Sequence, residues 1–246
     1  MTIKDDGLAD IQTPTGPMRT YLFHPVAPGR YPGVILFSEI FQKTGPIHRF
    51  AAMLAGHGYL VAVPEIYHEL EAPGTVLEYD QAGADRGNAD KYEKELYSYD
   101  ADAKALSGWL KMHPACTGKI GAAGICLGGH LAFRAAMNPE ILATACFYAT
   151  DIHSGTLGKG KKDDSLARAN EIQGELLHIW GRQDPHVPLE GRNAIKARLD
   201  ETGANFQWFE ANGAHAFMRD EGYRYDPSLA SLCQAMMLDL FHRRLR

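Results

Sequence analysis

Apolar residues follow two rhythms along this chain. Short unbroken runs, Val34-Ile-Leu-Phe37, Leu60-Val-Ala-Val63, Thr144–Tyr148 and Leu176–Trp180, have the length of strands buried on both faces of a parallel sheet. Lys119–Ala123 and Phe206–Glu210 predict two further strands. Between them apolar positions recur at helical spacing. Ile47, Phe50, Ala51 and Leu54 form one such stripe, stopped by Gly56 or Gly58, and Leu96, Ala103, Leu106 and Leu110 form a second over 96–112. Helices are also expected from Gly128 to Met137, over 189–200, and at the C-terminus, where Leu229, Leu232, Cys233, Met236, Met237 and Leu240 make a core-facing stripe. Residues 8–24 alternate and break at Pro14-Thr-Gly-Pro17, the pattern of an edge hairpin.

Strand, helix and strand within about thirty residues is a βαβ unit, and its repetition predicts an α/β fold with a doubly wound, mostly parallel sheet. No repeat or linker divides the chain, so one domain spanning 1–246 is expected. Two stretches break the rhythm. Residues 65–95 are polar, carry Pro73-Gly74 and Gly83 to Gly87, and show no strand pattern; irregular stretches of that length are usually functional, so they are expected to form a lid or cap over the site. Gly158-Lys-Gly-Lys-Lys-Asp-Asp164 is expected to be a solvated loop.

Composition narrows the class. With 45% hydrophobic and 22% charged residues the chain resembles ordinary globular proteins, and its net charge of −5 offers no footprint for nucleic acid. Met1–Gly7 has no apolar core of a secretory signal, and no apolar run approaches the roughly 18–20 residues of a membrane span. The four cysteines, 116, 126, 146 and 233, are widely spaced, without the pattern of a disulfide framework or zinc site. A reduced, cytoplasmic protein that is a monomer or small homo-oligomer is the expectation.

Candidate chemistry centres on Gly124-Ile-Cys126-Leu-Gly128-Gly129-His130, between a strand and a helix. This is the G-x-S-x-G nucleophile elbow of α/β-hydrolases with sulfur replacing the hydroxyl. The sharp turn excludes bulky neighbours, and the helix N-terminus beyond it favours thiolate and oxyanion alike. A nucleophile needs a base, and the base an orienting acid, in the order nucleophile, acid, histidine after successive strands. Asp184, in Gly181-Arg-Gln-Asp184 after one strand, and His215, in Gly213-Ala-His215 after the next, fill both positions. His186 is the nearest rival base, but it shares the loop of Asp184. His68-Glu-Leu-Glu71 has metal-friendly residues without the spaced histidine pair of a zinc helix. Ser38-Glu39-Ile40-Phe41 follows the first buried strand and borders the same cleft, making the N–H groups of Ile40 and Leu127 the expected oxyanion donors.

Glu39-Ile-Phe41, Gly124-Ile-Cys126-Leu-Gly-Gly129, Gly181-Arg-Gln-Asp184 and His215-Ala-Phe-Met-Arg219 together give the chain a resemblance to the dienelactone hydrolase (carboxymethylenebutenolidase) family, over nearly its whole length. The resemblance implies an α/β-hydrolase fold, no cofactor and no metal. It also implies a Cys126–His215–Asp184 triad that opens a small lactone or ester through an acyl-enzyme. It implies that Glu39 holds the resting thiol of Cys126 and activates it when substrate arrives. Two arginines of the family hold a substrate carboxylate; Arg219, four residues after His215, matches one, and Arg86 is the candidate for the other. Two alternatives stand beside this: an acyl- or thioester-processing enzyme on the same triad, and a non-catalytic ligand-binding protein of the same fold.

Overall fold

The computed structural model describes residues 1–246. Strands β1 (Ile3–Thr13), β2 (Gly16–Pro25), β3 (Tyr31–Phe37), β4 (Leu60–Pro64), β5 (Cys116–Ile125), β6 (Ile141–Phe147), β7 (Glu175–Gly181) and β8 (Phe206–Ala211) join one sheet in the order β1-β2-β4-β3-β5-β6-β7-β8. The β1–β2 hairpin is antiparallel and β2 pairs antiparallel with β4; every other pairing is parallel. Helices α1 (Gly45–Gly56), α2 (Gln81–Glu93), α3 (Leu96–Met112), α4 (Leu127–Ala135), α5 (Leu189–Thr202) and α6 (Pro227–Leu245) fill the connections. This is the expected mostly parallel, doubly wound α/β architecture.

Two-sided burial explains the unbroken apolar runs. On β3, Val34 and Leu36 join the core under α1 and α6, while Ile35 and Phe37 join the core under α3 and α4. On β4, Val61 and Val63 face the first core and Leu60 and Ala62 the second. Successive side chains point to opposite faces, so a strand covered on both sides has no polar position to spare. The central helix α4 is buried at every residue from Leu127 to Ala135.

The stretch 65–95 departs from the irregular reading, because α2 runs through it. Asp80 caps that helix, its side chain accepting from the Gly83 N–H at 2.7 Å. Only Gly83, Gly87 and Lys91 of α2 are buried, so it has no apolar stripe to betray it. Its glycine face packs instead: a Cβ on Gly87 would lie 2.4 Å from the Ile40 carbonyl oxygen, and the Gly87 carbonyl accepts from Tyr67 Oη at 2.9 Å. Gly87 is thus a close-packing point against the loop after β3, and Gly83 packs as closely on the Glu78 backbone. The loop 158–164 also carries a short 3-10 turn, Lys159–Lys161, and Lys159 pairs with Glu93 and Glu95 at 3.5 and 3.3 Å.

Candidate active site

Cys126 stands between the end of β5 and the first residue of α4, with φ 58° and ψ −124°. Such a backbone is costly for any residue with a side chain and survives only where the surroundings hold it. Part of the hold is visible: the Cys126 N–H donates to the Phe147 carbonyl at 3.1 Å, and Gly128 sits so close to β3 that a Cβ would lie 2.2 Å from the Phe37 carbonyl oxygen. The elbow therefore presents a half-buried sulfur at the N-terminus of a helix. Four more non-glycine residues with positive φ, Gln42, Tyr148, Asp151 and Ala216, lie in or beside the same cleft.

Asp184 and His215 lie just beyond the C-terminal ends of β7 and β8. His215 Nδ1 donates to Asp184 Oδ2 at 2.7 Å, and both side chains are buried. The other carboxylate oxygen, Oδ1, accepts the backbone N–H of His186 at 2.8 Å, which fixes the loop. Burial opposes charge on His215, but the neighbouring Cys126 sulfur and the Asp184 carboxylate outweigh it and push the imidazole up to about 10. Sulfur and imidazole thus face each other across the same cleft.

Glu39 is buried in the same cleft, yet its partners are not the thiol. Glu39 Oε2 accepts from Tyr79 Oη at 2.9 Å, and Arg219 Nη1 stands 4.0 Å from Oε1. Burial raises the carboxyl above its ordinary value, with Arg219 and Tyr79 opposing. The Arg219 guanidinium also lies 4.2 Å over the Tyr79 ring. Glu39 is therefore one corner of a Glu39–Tyr79–Arg219 cluster and makes no hydrogen bond to the sulfur. The amides of Ile40 and Leu127 donate to no backbone or side-chain acceptor; Ile40 lines the cleft and Leu127 opens α4 directly after Cys126.

Arg86 is not brought to this site. Its guanidinium pairs through Nε and Nη2 with the carboxylate of Glu71, and it is absent from the cleft wall, because α2 turns that face away. The cleft, of about 340 Å³, takes its cations from Lys91, Arg219 and Arg224 instead. Lys91 Nζ is held by Asp151 Oδ2 at 2.9 Å. Arg224 is the cation without such a partner: its Nε is buried and makes no hydrogen bond. Tyr148, which the sequence did not single out, is buried behind the site, its ring 5.1 Å from that of His215 and its hydroxyl without a partner. No motif marks Arg224, nine residues beyond His215 across a glycine turn at Gly222 (φ 93°). The His68–Glu71 stretch lies elsewhere. His68 Nε2 meets Asp102 at 3.1 Å, and Lys94 Nζ sits 2.7 Å from both Glu69 and Asp102, taking the place a cation would occupy.

Comparison with known proteins follows the same outline. The model of the dienelactone hydrolase family matches residues 18–245. A protein of Saccharomyces cerevisiae named "Putative carboxymethylenebutenolidase" is 43% identical over 96% of this chain and 91% of its own length. The carboxymethylenebutenolidase of Pseudomonas putida is 27% identical, covering 85% of this chain and 84% of its own. Among solved structures, a "Putative Dienelactone Hydrolase" from Klebsiella pneumoniae subsp. pneumoniae superposes with a TM-score of 0.85 at 22% identity, covering 99% of this chain and 100% of that one. The fold is shared with it.

Proposed function

This chain belongs to the dienelactone hydrolase family and is a carboxylic ester or lactone hydrolase; from that premise we propose that it cleaves a small anionic lactone or ester through a Cys126–His215–Asp184 triad and an acyl-enzyme. The observation that carries the proposal is the strained Cys126 at the head of α4, lining one cleft with an imidazole whose Nδ1 is held 2.7 Å from Asp184.

The steps follow from those positions. The Cys126 sulfur attacks the carbonyl carbon, and the oxygen that gains charge is received by the free N–H groups of Ile40 and Leu127. The C–O bond of the ester breaks, and the imidazolium of His215 gives its proton to the departing alkoxide, which in a lactone stays tethered as a hydroxyl. A water then loses a proton to His215 Nε2 and attacks the thioester carbon, and the sulfur leaves as thiolate beside the re-formed imidazolium. Asp184 holds the ring in the tautomer both halves require. The substrate carboxylate meets Arg219 and the unpartnered Arg224, since planar guanidinium donors match a carboxylate's two oxygens. The Glu39–Tyr79–Arg219 cluster supports a role for Glu39 in setting the charge near the sulfur, through Arg219 rather than by holding the thiol.

Replacing Cys126 by Ala tests the reading. Hydrolysis of an activated ester is expected to vanish while stability stays within about 1 kcal/mol, as befits a half-buried side chain at the margin of the core. Turnover persisting at more than a few per cent in a clean preparation refutes Cys126 as nucleophile.

A further inference from the structure

Helix α2 runs along one wall of the cleft. Ala84, Asn88, Lys91 and Tyr92 all line it, and residues at that spacing share one face of a helix, here about 20 Å long. The ends of α2 are fixed on opposite sides of the sheet. Just before its first turn, Tyr79 lies under the Arg219 guanidinium, and the loop carrying Arg219 is tied to α1 through Arg49, which pairs with Asp220 and Glu221. In its last turn Lys91 Nζ meets Asp151 Oδ2 at 2.9 Å, and beyond it Lys94 is tied to α3 through Asp102. Helices α1 and α3 cover opposite faces of the sheet, and Cys126 packs against both cores. The guanidiniums therefore approach the sulfur from one side and the Lys91–Asp151 pair from the other.

The two sides differ in charge balance. On the first, Arg219 faces Glu39 and Arg224 has no acidic partner, which leaves one cation for a substrate carboxylate. On the second, ammonium and carboxylate compensate each other, with side chains only 7% and 15% exposed. Asp151 is held in left-handed backbone, φ 65°, and its Oδ1 accepts from Thr156 Oγ1 at 3.1 Å. An ammonium has three N–H donors, one of which goes to Asp151, and the carboxylate keeps spare lone pairs. A hydroxyl accepts from the one and donates to the other. A second carboxylate would meet the charge of Asp151, and an alkyl group would bury the spare donors and acceptors unpaired.

We propose that the Lys91–Asp151 pair is a specificity site for a hydroxyl group at the end of the substrate remote from its carboxylate, so that the preferred substrate is a hydroxyl-bearing monoanion. This rests on the reading of the cleft as the site of an anionic lactone or ester. The substrate lies along α2 with its carboxylate toward Arg219 and Arg224, its carbonyl at Cys126 and its hydroxyl at Lys91 and Asp151.

Three γ-butyrolactones with the same carboxymethyl arm test it, their second arm ending in a hydroxyl, a methyl or a carboxylate. Affinities are measured by calorimetry in a Cys126→Ala background. Turnover persisting in that background bears on the nucleophile, whereas ratios of affinity bear on the subsite alone. The hydroxyl lactone is expected to bind at least about tenfold more tightly than the methyl one, as charge-assisted hydrogen bonds allow. Adding Lys91→Met removes the donors and is expected to bring that ratio to within about twofold of unity. Adding Asp151→Asn leaves the ammonium uncompensated, and the lactone with two carboxylates is expected to gain at least about tenfold relative to the methyl one. Each ratio is read within one protein, so a general weakening from a loosened α2 cancels. Ratios equal in all three proteins would mean that the pair only holds α2 in place and would overturn the proposal. So would a parent that prefers the methyl lactone, or that binds none of the three.

Discussion

What a buried carboxylate is bonded to decides what it does to a neighbouring thiol. Glu39 follows a strand whose end abuts the elbow, and family resemblance led us to expect it on the resting sulfur. It is held instead by Tyr79 and faced by Arg219. The places of Cys126, Asp184 and His215 were legible because their signals are local: a glycine-flanked cysteine between strand and helix and two residues just past strand ends. The charges around it were not, because Lys91 and Arg224 arrive on elements whose paths no short motif records. Arg86 matched a plausible position and went to Glu71. These contacts set an expectation for Arg219. A charge-assisted hydrogen bond is worth roughly 1.5–3 kcal/mol, so Arg219→Ala should lower kcat/KM for an anionic lactone by about 10- to 150-fold. A neutral ester should change little. Equal losses on both substrates would mean that Arg219 serves the site through Glu39 and Tyr79 rather than by touching substrate.

At the scale of elements, strands and amphipathic helices declared themselves, since burial on two faces or one leaves a period in the sequence. The helix α2 left none. Its buried face is Gly83, Gly87 and Lys91, which packs by closeness rather than by apolar bulk, so its composition looked like an irregular lid. The segment between β6 and β7 is likewise organised by polar contacts. Asp163 accepts the N–H groups of Leu157 and Ser165 at 2.9 and 3.0 Å, and stands 3.6 Å from the buried His130, whose Nε2 bonds Ser165 Oγ at 2.7 Å. Burial alone would raise the Asp163 carboxyl, but His130 and these amides hold it well below the usual carboxylate range. A depressed folded value stabilises above the unfolded value near pH 4 and is lost as pH falls toward the folded one. Asp163→Asn should therefore cost roughly 1–3 kcal/mol at pH 7, with the gap to wild type narrowing at pH 3 in urea unfolding. A gap independent of pH would assign the effect to packing instead.

Across the whole molecule, the sheet order is what makes one site from distant sequence. Parallel β3, β5, β6, β7 and β8 lie side by side, so the loops after them converge at one edge, and Glu39, Cys126, Asp184 and His215 meet although 176 positions separate the first from the last. A chain of net charge −5 nonetheless gathers Lys91, Arg219 and Arg224 in that cleft, against Glu39 and Asp151. The central claim is that Cys126 carries the acyl group between the two halves of the reaction. The direct measurement is peptide mapping by mass spectrometry after rapid acid quench of the enzyme with an activated ester, using wild type and His215→Ala. The account predicts one acyl group per chain on the peptide containing Cys126, lasting longer in the variant, which lacks the base for deacylation. An acyl group found on another residue, or steady turnover with no acylated peptide in either protein, would contradict it.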